Sequence, residues 1–92
     1  MGEAVAVERL EELRGIVAEV LERDPNEIAD RADFVEEYQA DSLRAIEILA
    51  RLEKRYKVDI PQAALPKLRN LVAVYEEVAQ RAGWPAYESR VA

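Results

Sequence analysis

The sequence predicts an all-α fold, a small helical bundle of three longer helices and one short helix. Apolar residues recur at spacings of three and four over residues 4–22 and 42–57, and again after Asn70, which is the pattern of amphipathic helices. Capping side chains, prolines and glycines separate these segments. The chain has 92 residues, which suits one small domain with a modest core.

The first predicted helix spans residues 4–22. Its expected core side chains are Val7, Leu10, Leu13, Val17, Val20 and Leu21. Glutamates occupy much of the opposite face. Gly15 lies inside this helix, where glycine costs about 1 kcal/mol relative to alanine. It either permits close approach of a neighbouring helix or is simply a weak point in the helix.

A long connection, residues 23–41, follows the first helix. Asp24 and Asp33 are each predicted to cap a short helical turn, because a carboxylate oxygen can accept a hydrogen bond from an unpaired amide. Ile28 and Phe34 are predicted to turn into the core. A connection of this length in a compact domain is usually either functional or a sign that an element has been assigned wrongly.

The second predicted helix, residues 42–57, carries two apolar arcs. At about 100° per residue, the arc expected to face the core contains Ala45, Ile48, Leu49, Leu52 and Tyr56. A second arc contains Leu43, Ile46 and Ala50, and it lies beside Ser42. The second arc either widens the core face or forms an exposed apolar stripe suited to docking partner proteins.

The remaining elements are short. Pro61 is predicted to open a third helix that ends near Leu65, before Pro66 interrupts it. Asn70 is predicted to cap the last helix and Gly83 to end it. The buried side of this helix is expected to contain Leu71, Val74, Tyr75 and Val78.

The predicted domain covers residues 1–82, and residues 83–92 are predicted to form a loose tail. Trp84 and Tyr87 lie in this tail. These two aromatic side chains either fold back onto the bundle or make no contact with it.

Several function classes are disfavoured by composition. The chain contains neither Cys nor His, which excludes thiolate chemistry, Ser-His-Asp catalysis and the common zinc sites. No metal site is predicted, and a self-contained enzyme is not expected. There is no apolar run long enough to span a membrane and no signal-peptide pattern, so a cytoplasmic protein is expected. The protein is also expected to be a monomer.

Charge is distributed unevenly. Residues 1–41 carry 4 basic and 13 acidic side chains, residues 42–57 carry 5 and 2, and residues 58–92 carry 4 of each, for a net charge of −6. An acidic domain with a single basic helix argues against nucleic acid as the main partner, since phosphate binding needs a dominant basic face.

The run from Asp33 to Leu43 resembles the corresponding segment of acyl carrier proteins. Further along, the resemblance is carried by Ile46, Glu47, Leu52, Glu53, Tyr56, Ile60, Pro61, Asn70 and Leu71. It covers nearly all of residues 5–82. An Asp-Ser-Leu motif alone has little specificity, but this helix order and this spacing to Ile-Pro make the resemblance specific.

The resemblance implies a non-catalytic carrier with an acyl-carrier-like helical bundle. Ser42 would bear 4′-phosphopantetheine, transferred from coenzyme A by a phosphopantetheinyl transferase, and the distal thiol would hold acyl groups as thioesters. Asp41 belongs to the motif and would support the transferase reaction. Acyl-transferring and ketosynthase-type enzymes would dock on Leu43, Arg44, Ile46, Glu47 and Ala50.

Two features depart from the family pattern. Tyr38 and Gln39 stand where the family usually has Leu and Gly, so the loop geometry is expected to differ. The second helix is basic rather than acidic, with Arg44 and Arg51 among its cations, which favours a specialised polyketide-type pathway over fatty-acid synthesis. A peptidyl or aminoacyl carrier and an unmodified helical adaptor are the alternative functions.

Overall fold

The computed structural model describes residues 2–87, and this part of the chain is helical without strands. The predicted all-α bundle of three longer helices is confirmed. The helices are α1 (Gly2–Leu21), α2 (Phe34–Tyr38), α3 (Ser42–Tyr56) and α4 (Leu71–Ala82), and two 3₁₀ segments occupy Pro25–Glu27 and Gln62–Lys67. The short helix of the prediction corresponds to the second 3₁₀ segment, whereas α2 extends one predicted turn into a five-residue helix.

The core lies where α1 packs against α3 and α4. Its largest fully buried side chains are Leu13, Val17, Val20, Ile28, Ile48, Leu52, Ile60, Leu71, Val74, Tyr75 and Val78. Phe34 from α2 is also buried, so both predicted core residues of the long connection are confirmed. The core faces predicted for the three longer helices are confirmed at most positions.

Val7 is an exception, because 57% of it is exposed. At about 100° per residue it lies some 120° around α1 from Leu13, at the edge of the apolar arc. The prediction that Val7 belongs to the core is therefore wrong.

Gly15 does not serve the close approach of another helix. A Cβ atom at this position would meet nothing within 4 Å, so that role, one of the two considered for this glycine, is wrong.

The predicted caps are present. Asn70 Oδ1 accepts a hydrogen bond from the Ala73 amide at 2.8 Å, and Gly83 ends α4 with a left-handed φ of 76°. Asp24 caps the first 3₁₀ segment. The prediction that α1 includes Glu22 is wrong, since Glu22 has a φ of 58° and the helix ends one residue earlier.

The segment after α3 also differs from its prediction. Pro61 is the cap rather than the first helical residue, and the 3₁₀ helix continues through Pro66 to Lys67. A 3₁₀ helix bonds each amide to the third residue back, so the proline ring avoids the clash that it would cause in an α-helix. Pro66 therefore does not interrupt the helix.

Trp84 and Tyr87 fold back onto the bundle. The Trp84 ring packs edge-on against Tyr56 with centroids 4.8 Å apart, and the Tyr87 ring lies 6.1 Å from Tyr75. The Tyr75 hydroxyl donates a hydrogen bond to the Pro85 carbonyl at 2.6 Å. Of the two alternatives for Trp84 and Tyr87, packing on the bundle is therefore the one observed, while residues 88–92 of the predicted tail lie outside the described part of the chain.

Tyr56 also closes the distal end of the bundle, far along α3 from Ser42. Its hydroxyl donates to Glu12 Oε1 at 3.0 Å. Burial, reinforced by this hydrogen bond, raises the pKa of the Tyr56 hydroxyl to about 12. Burial raises the pKa of Glu12, but the hydrogen bonds from Tyr56 and Arg9 outweigh it and leave that pKa below its usual value.

Within residues 2–87, none of the helices combines the length and the apolar character that crossing a membrane requires. The described chain also holds no cluster of three or more carboxylates placed to bind a metal ion.

Candidate functional site

Ser42 is the first residue of α3, and it is exposed. Asp41 caps the helix, because its Oδ1 accepts a hydrogen bond from the Arg44 amide at 2.9 Å. Its carbonyl also accepts the first intrahelical bond, from Ala45 at 3.1 Å. The cap determines where α3 begins, and it therefore places Ser42 at the N-terminus of the helix, where solvent can reach the hydroxyl.

The second apolar arc of α3 is exposed. Leu43 is 67% exposed and Ile46 is 43% exposed, and Ala50 is exposed as well. By contrast, Ile48 and Leu52 on the core face are 1% and 0% exposed. The arc therefore does not widen the core, and it forms an apolar stripe that begins directly beside Ser42. We call Leu43, Ile46 and Ala50 the apolar stripe.

Three arginines of α3 turn toward α1 and pair with glutamates of that helix or with Glu22, which directly follows it. The pairs are Arg44 with Glu22 at 3.4 Å, Arg51 with Glu19 at 2.5 Å and Arg55 with Glu12 at 3.8 Å. Arg44 Nη1 also donates to the Val20 carbonyl at 2.7 Å, near the end of α1. A cation near a helix C-terminus satisfies an unpaired carbonyl and opposes the negative end of the dipole.

These pairs change how the charge of α3 is interpreted. Arg44 also lies 3.6 Å from Glu47, so its charge has one acidic neighbour on α3 and a second, Glu22, just after α1. Summing the residues of α3 alone overstates the positive charge that this helix offers to a partner. Such exposed pairs contribute little to stability, about 0–1 kcal/mol each, but they set the local field.

The Tyr38 side chain links its own part of the long connection before Ser42 to the part around residues 27–29. Its hydroxyl accepts a hydrogen bond from the Ala29 amide at 2.9 Å and donates one to the Glu27 carbonyl at 2.8 Å. Its ring packs 6.5 Å from the Phe34 ring. A leucine at this position could fill space but could not make either hydrogen bond.

Gln39 adopts a left-handed conformation, with φ of 55° and ψ of 34°, and caps the C-terminus of α2. This conformation is why glycine suits the position, since a side chain there costs roughly 1–2 kcal/mol. Arg23 Nη2 donates to Gln39 Oε1 at 3.1 Å, and its guanidinium lies 5.4 Å from the centroid of the Tyr38 ring. Sequence reasoning missed Arg23, although the replacement of Leu-Gly by Tyr-Gln signalled an altered loop.

The connection is anchored at its middle as well. The Phe34 amide donates to the Arg69 carbonyl at 2.8 Å, and the Arg69 guanidinium pairs with Asp33 at 2.8 Å. The hydrogen bond from the Glu36 amide, helped by Arg69, lowers the pKa of the Asp33 carboxyl below its usual value. The predicted cap at Asp33 therefore also links α2 to the segment before α4.

Arg14 anchors the start of the same connection from α1. It pairs with Asp30 at 2.6 Å and with Glu11 at 2.9 Å, and it donates to the Ile28 carbonyl. The hydrogen bond that Arg14 donates to Glu11, with the one that it donates to Asp30, raises the pKa of its guanidinium against the opposing effect of burial. Residues 28–41 are thus held at several points along their length.

The site exposes the Ser42 hydroxyl but does not supply a base that would make it a nucleophile. The chain has no histidine that could act as a base for Ser42, and the acidic residue next to it in sequence, Asp41, is engaged as a helix cap. Such a serine suits modification by a second protein. An added phosphodiester would lie at a helix N-terminus, where unpaired amides and the helix dipole favour an anion.

Comparison with known proteins shows the family to which this chain belongs. The family model described as "Phosphopantetheine attachment site" matches residues 11–78, which is most of the chain. The chain belongs to the acyl carrier protein family. The prosthetic group of this carrier is 4′-phosphopantetheine, and the carrier holds acyl groups on it.

Two curated relatives from Streptomyces avermitilis are similar to the carrier. It is 47% identical over 74 residues to "Polyketide-8 synthase acyl carrier protein 1", a match that covers 80% of this chain and 88% of the relative. It is 44% identical over 73 residues to "Polyketide-8 synthase acyl carrier protein 2", covering 79% and 84%.

The carrier also matches a chain in the solved structure described as "The ishigamide ketosynthase/chain length factor". The TM-score is 0.68 at 39% identity, and the match covers 84% of the carrier and 97% of that chain.

Proposed function

We propose that Ser42 carries the 4′-phosphopantetheine arm. The observation that carries this assignment is that Ser42 is the only Ser or Thr between residues 11 and 78, the span matched by the attachment-site family. Its exposure at the first residue of α3 supports the same assignment. Ser89, the other serine, lies outside that span.

The start of α3 fits a bound phosphodiester. Amides of the first helical turn lack intrahelical partners, and a negative group beside them gains about 0.3–1 kcal/mol from the dipole. Asp41 uses only the Arg44 amide. When bound, the arm supplies a thiol that holds acyl groups as thioesters, whereas the chain itself contains no cysteine. The carrier's own residues present and orient the arm and do not catalyse acyl transfer.

Partner enzymes dock on the apolar stripe of Leu43, Ile46 and Ala50. The stripe adjoins Ser42, and an exposed apolar patch of this kind favours a protein partner. Glu47 borders the stripe and adds a charged contact. Arg44 acts mainly by holding the start of α3 against α1.

The carrier works in a specialised, polyketide-type pathway. The names of its Streptomyces relatives and of the ketosynthase/chain length factor structure support this pathway. The partners are then a phosphopantetheinyl transferase, acyl-transferring enzymes and a ketosynthase-type enzyme. A monomeric, cytoplasmic carrier remains the prediction.

The attachment site is tested by intact-mass measurement after incubation with coenzyme A and a broad-specificity phosphopantetheinyl transferase. Wild type and Ser89→Ala should each gain the mass of one phosphopantetheine group, and Ser42→Ala should gain none. Loading of Ser42→Ala would contradict the assignment. Loading of none of the three proteins would favour an unmodified adaptor.

The pathway is tested by acyl transfer. The loaded carrier should transfer acyl groups faster to a polyketide-type ketosynthase than to a fatty-acid ketosynthase, measured as kcat/KM for the carrier. Equal or higher kcat/KM with the fatty-acid enzyme would argue against the specialised pathway without affecting the assignment of Ser42.

A further inference from the structure

The chain segment just before Asp41 contains a non-glycine residue in an uncommon backbone conformation. Gln39 lies two positions before Asp41 and adopts a left-handed conformation that residues with side chains rarely take. In a free loop, a glutamine would populate this conformation only in part. A contact that holds the Gln39 side chain would raise that population and so order the approach to Ser42.

Arg23 makes that contact. Its guanidinium donates to Gln39 Oε1 at 3.1 Å while lying over the Tyr38 ring at 5.4 Å. Tyr38 is itself fixed by hydrogen bonds through its hydroxyl, to the Ala29 amide at 2.9 Å and to the Glu27 carbonyl at 2.8 Å. Arg23 therefore joins Gln39 to a part of the loop that is already anchored.

The C-terminal side of Ser42 is tied to the same region. Arg44 donates to the Val20 carbonyl at 2.7 Å and lies 3.4 Å from Glu22. The residues three before and two after Ser42 thus both contact residues 20–23, at the end of α1. Such a two-sided attachment leaves the Asp41–Ser42 turn little freedom to move relative to the bundle.

We propose that Arg23 is a positioning residue for the loading of Ser42. By holding Gln39 in its left-handed conformation, it keeps the Asp41–Ser42 turn in the arrangement that the phosphopantetheinyl transferase binds. This inference rests on the proposed attachment of the arm to Ser42. Arg23 contacts Gln39 and the Tyr38 ring, in the loop before Ser42, so it acts on recognition of the carrier and not on the chemical step.

The test is the steady-state kinetics of loading with coenzyme A and a phosphopantetheinyl transferase. If Arg23→Ala lowers the competent loop conformer to about a tenth of the population, the KM for the carrier should rise about tenfold. The kcat and the KM for coenzyme A should stay unchanged, since the proposed role of Arg23 is confined to the conformation of the loop before Ser42.

Arg9→Ala is the matched control. Arg9 also hydrogen-bonds a neighbouring side chain, Glu12 at 3.1 Å, and lies over an aromatic ring, Trp84 at 5.1 Å, but at the other end of α1. It should cost similar stability and leave the KM for the carrier unchanged. An equal rise in KM for Arg9→Ala and Arg23→Ala, or no rise for Arg23→Ala, would overturn the inference.

A rescue variant separates positioning from direct contact with the transferase. In Arg23→Ala combined with Gln39→Gly, glycine adopts the left-handed conformation without support, so the KM should return to near the wild-type value. A KM that stays high would mean that the transferase contacts Arg23 itself, and the inference would fall. Failure of the wild type to load at Ser42 would instead refute the proposed function.

Discussion

Replacing Leu52 and Ile46 separately with alanine distinguishes the two apolar arcs of α3. Leu52 is 0% exposed, and truncating a buried leucine costs about 2–5 kcal/mol in lost burial and residual cavity. For a domain of this size, that loss corresponds to a fall in Tm of roughly 10 °C or more. Leu52→Ala should therefore weaken folding while leaving the docking surface chemically intact.

Ile46 should behave in the opposite way. It is 43% exposed, so the alanine variant loses about half of a burial term worth roughly 1.5–3 kcal/mol. Alanine regains a few tenths of a kcal/mol in helix propensity. The net loss is about 0.5–1 kcal/mol, which is small beside that of Leu52→Ala. The loss of an apolar docking contact should lower kcat/KM for acyl transfer to the partner enzyme.

Urea unfolding followed by circular dichroism gives the two free energies, and acyl-transfer kinetics at a temperature where both variants are folded gives the docking effect. Ala50→Gly is unsuitable as a control because it also weakens the helix. If Ile46→Ala destabilises the fold as much as Leu52→Ala, or leaves acyl transfer unchanged, the assignment of the apolar stripe to docking is refuted.

Three further predictions concern stability measured by urea unfolding. The pKa of Tyr56 is about 12 in the folded protein and 10.0 for an ordinary tyrosine, so its contribution to stability is complete below about pH 10 and is lost as the pH rises to about 12. Tyr56→Phe should flatten this decline, and an unchanged decline would contradict the pair with Glu12. Gly15→Ala should add about 0.5–1 kcal/mol, because its Cβ meets no neighbour, whereas a loss would mean that close packing was overlooked. Arg51→Gln should cost less than about 1 kcal/mol, since its pair with Glu19 is exposed; a larger loss would show a structural role for that pair.

Local rules predicted much of this fold. Asp33, Asn70 and Gly83 were recognised as caps because capping depends on a side chain and the few amides or carbonyls next to it. The core faces were recognised because burial follows helical periodicity. Val7 shows where periodicity ends, since a residue at the edge of an arc is buried only if a neighbouring element reaches it.

The contacts that could not be predicted join residues distant in sequence. The pairing of Arg51 with Glu19 depends on how α3 lies across α1. The net charge of α3, which is all that the sequence gives, does not indicate that its arginines pair with residues of α1. The packing of Trp84 on Tyr56 likewise depends on tertiary structure. At the site, Ser42 was identified through a resemblance carried by many positions, whereas Arg23 gave no local signal.

The most direct test of the central claim is to locate the prosthetic group in the loaded wild-type carrier by fragmentation mass spectrometry. The group should be found on the fragment containing Ser42. Acyl loading should add mass that an excess of a small thiol removes by exchange, because the acyl group is held as a thioester. A group located on Ser89 or on a tyrosine, or acyl mass that resists the thiol reagent, would contradict the account.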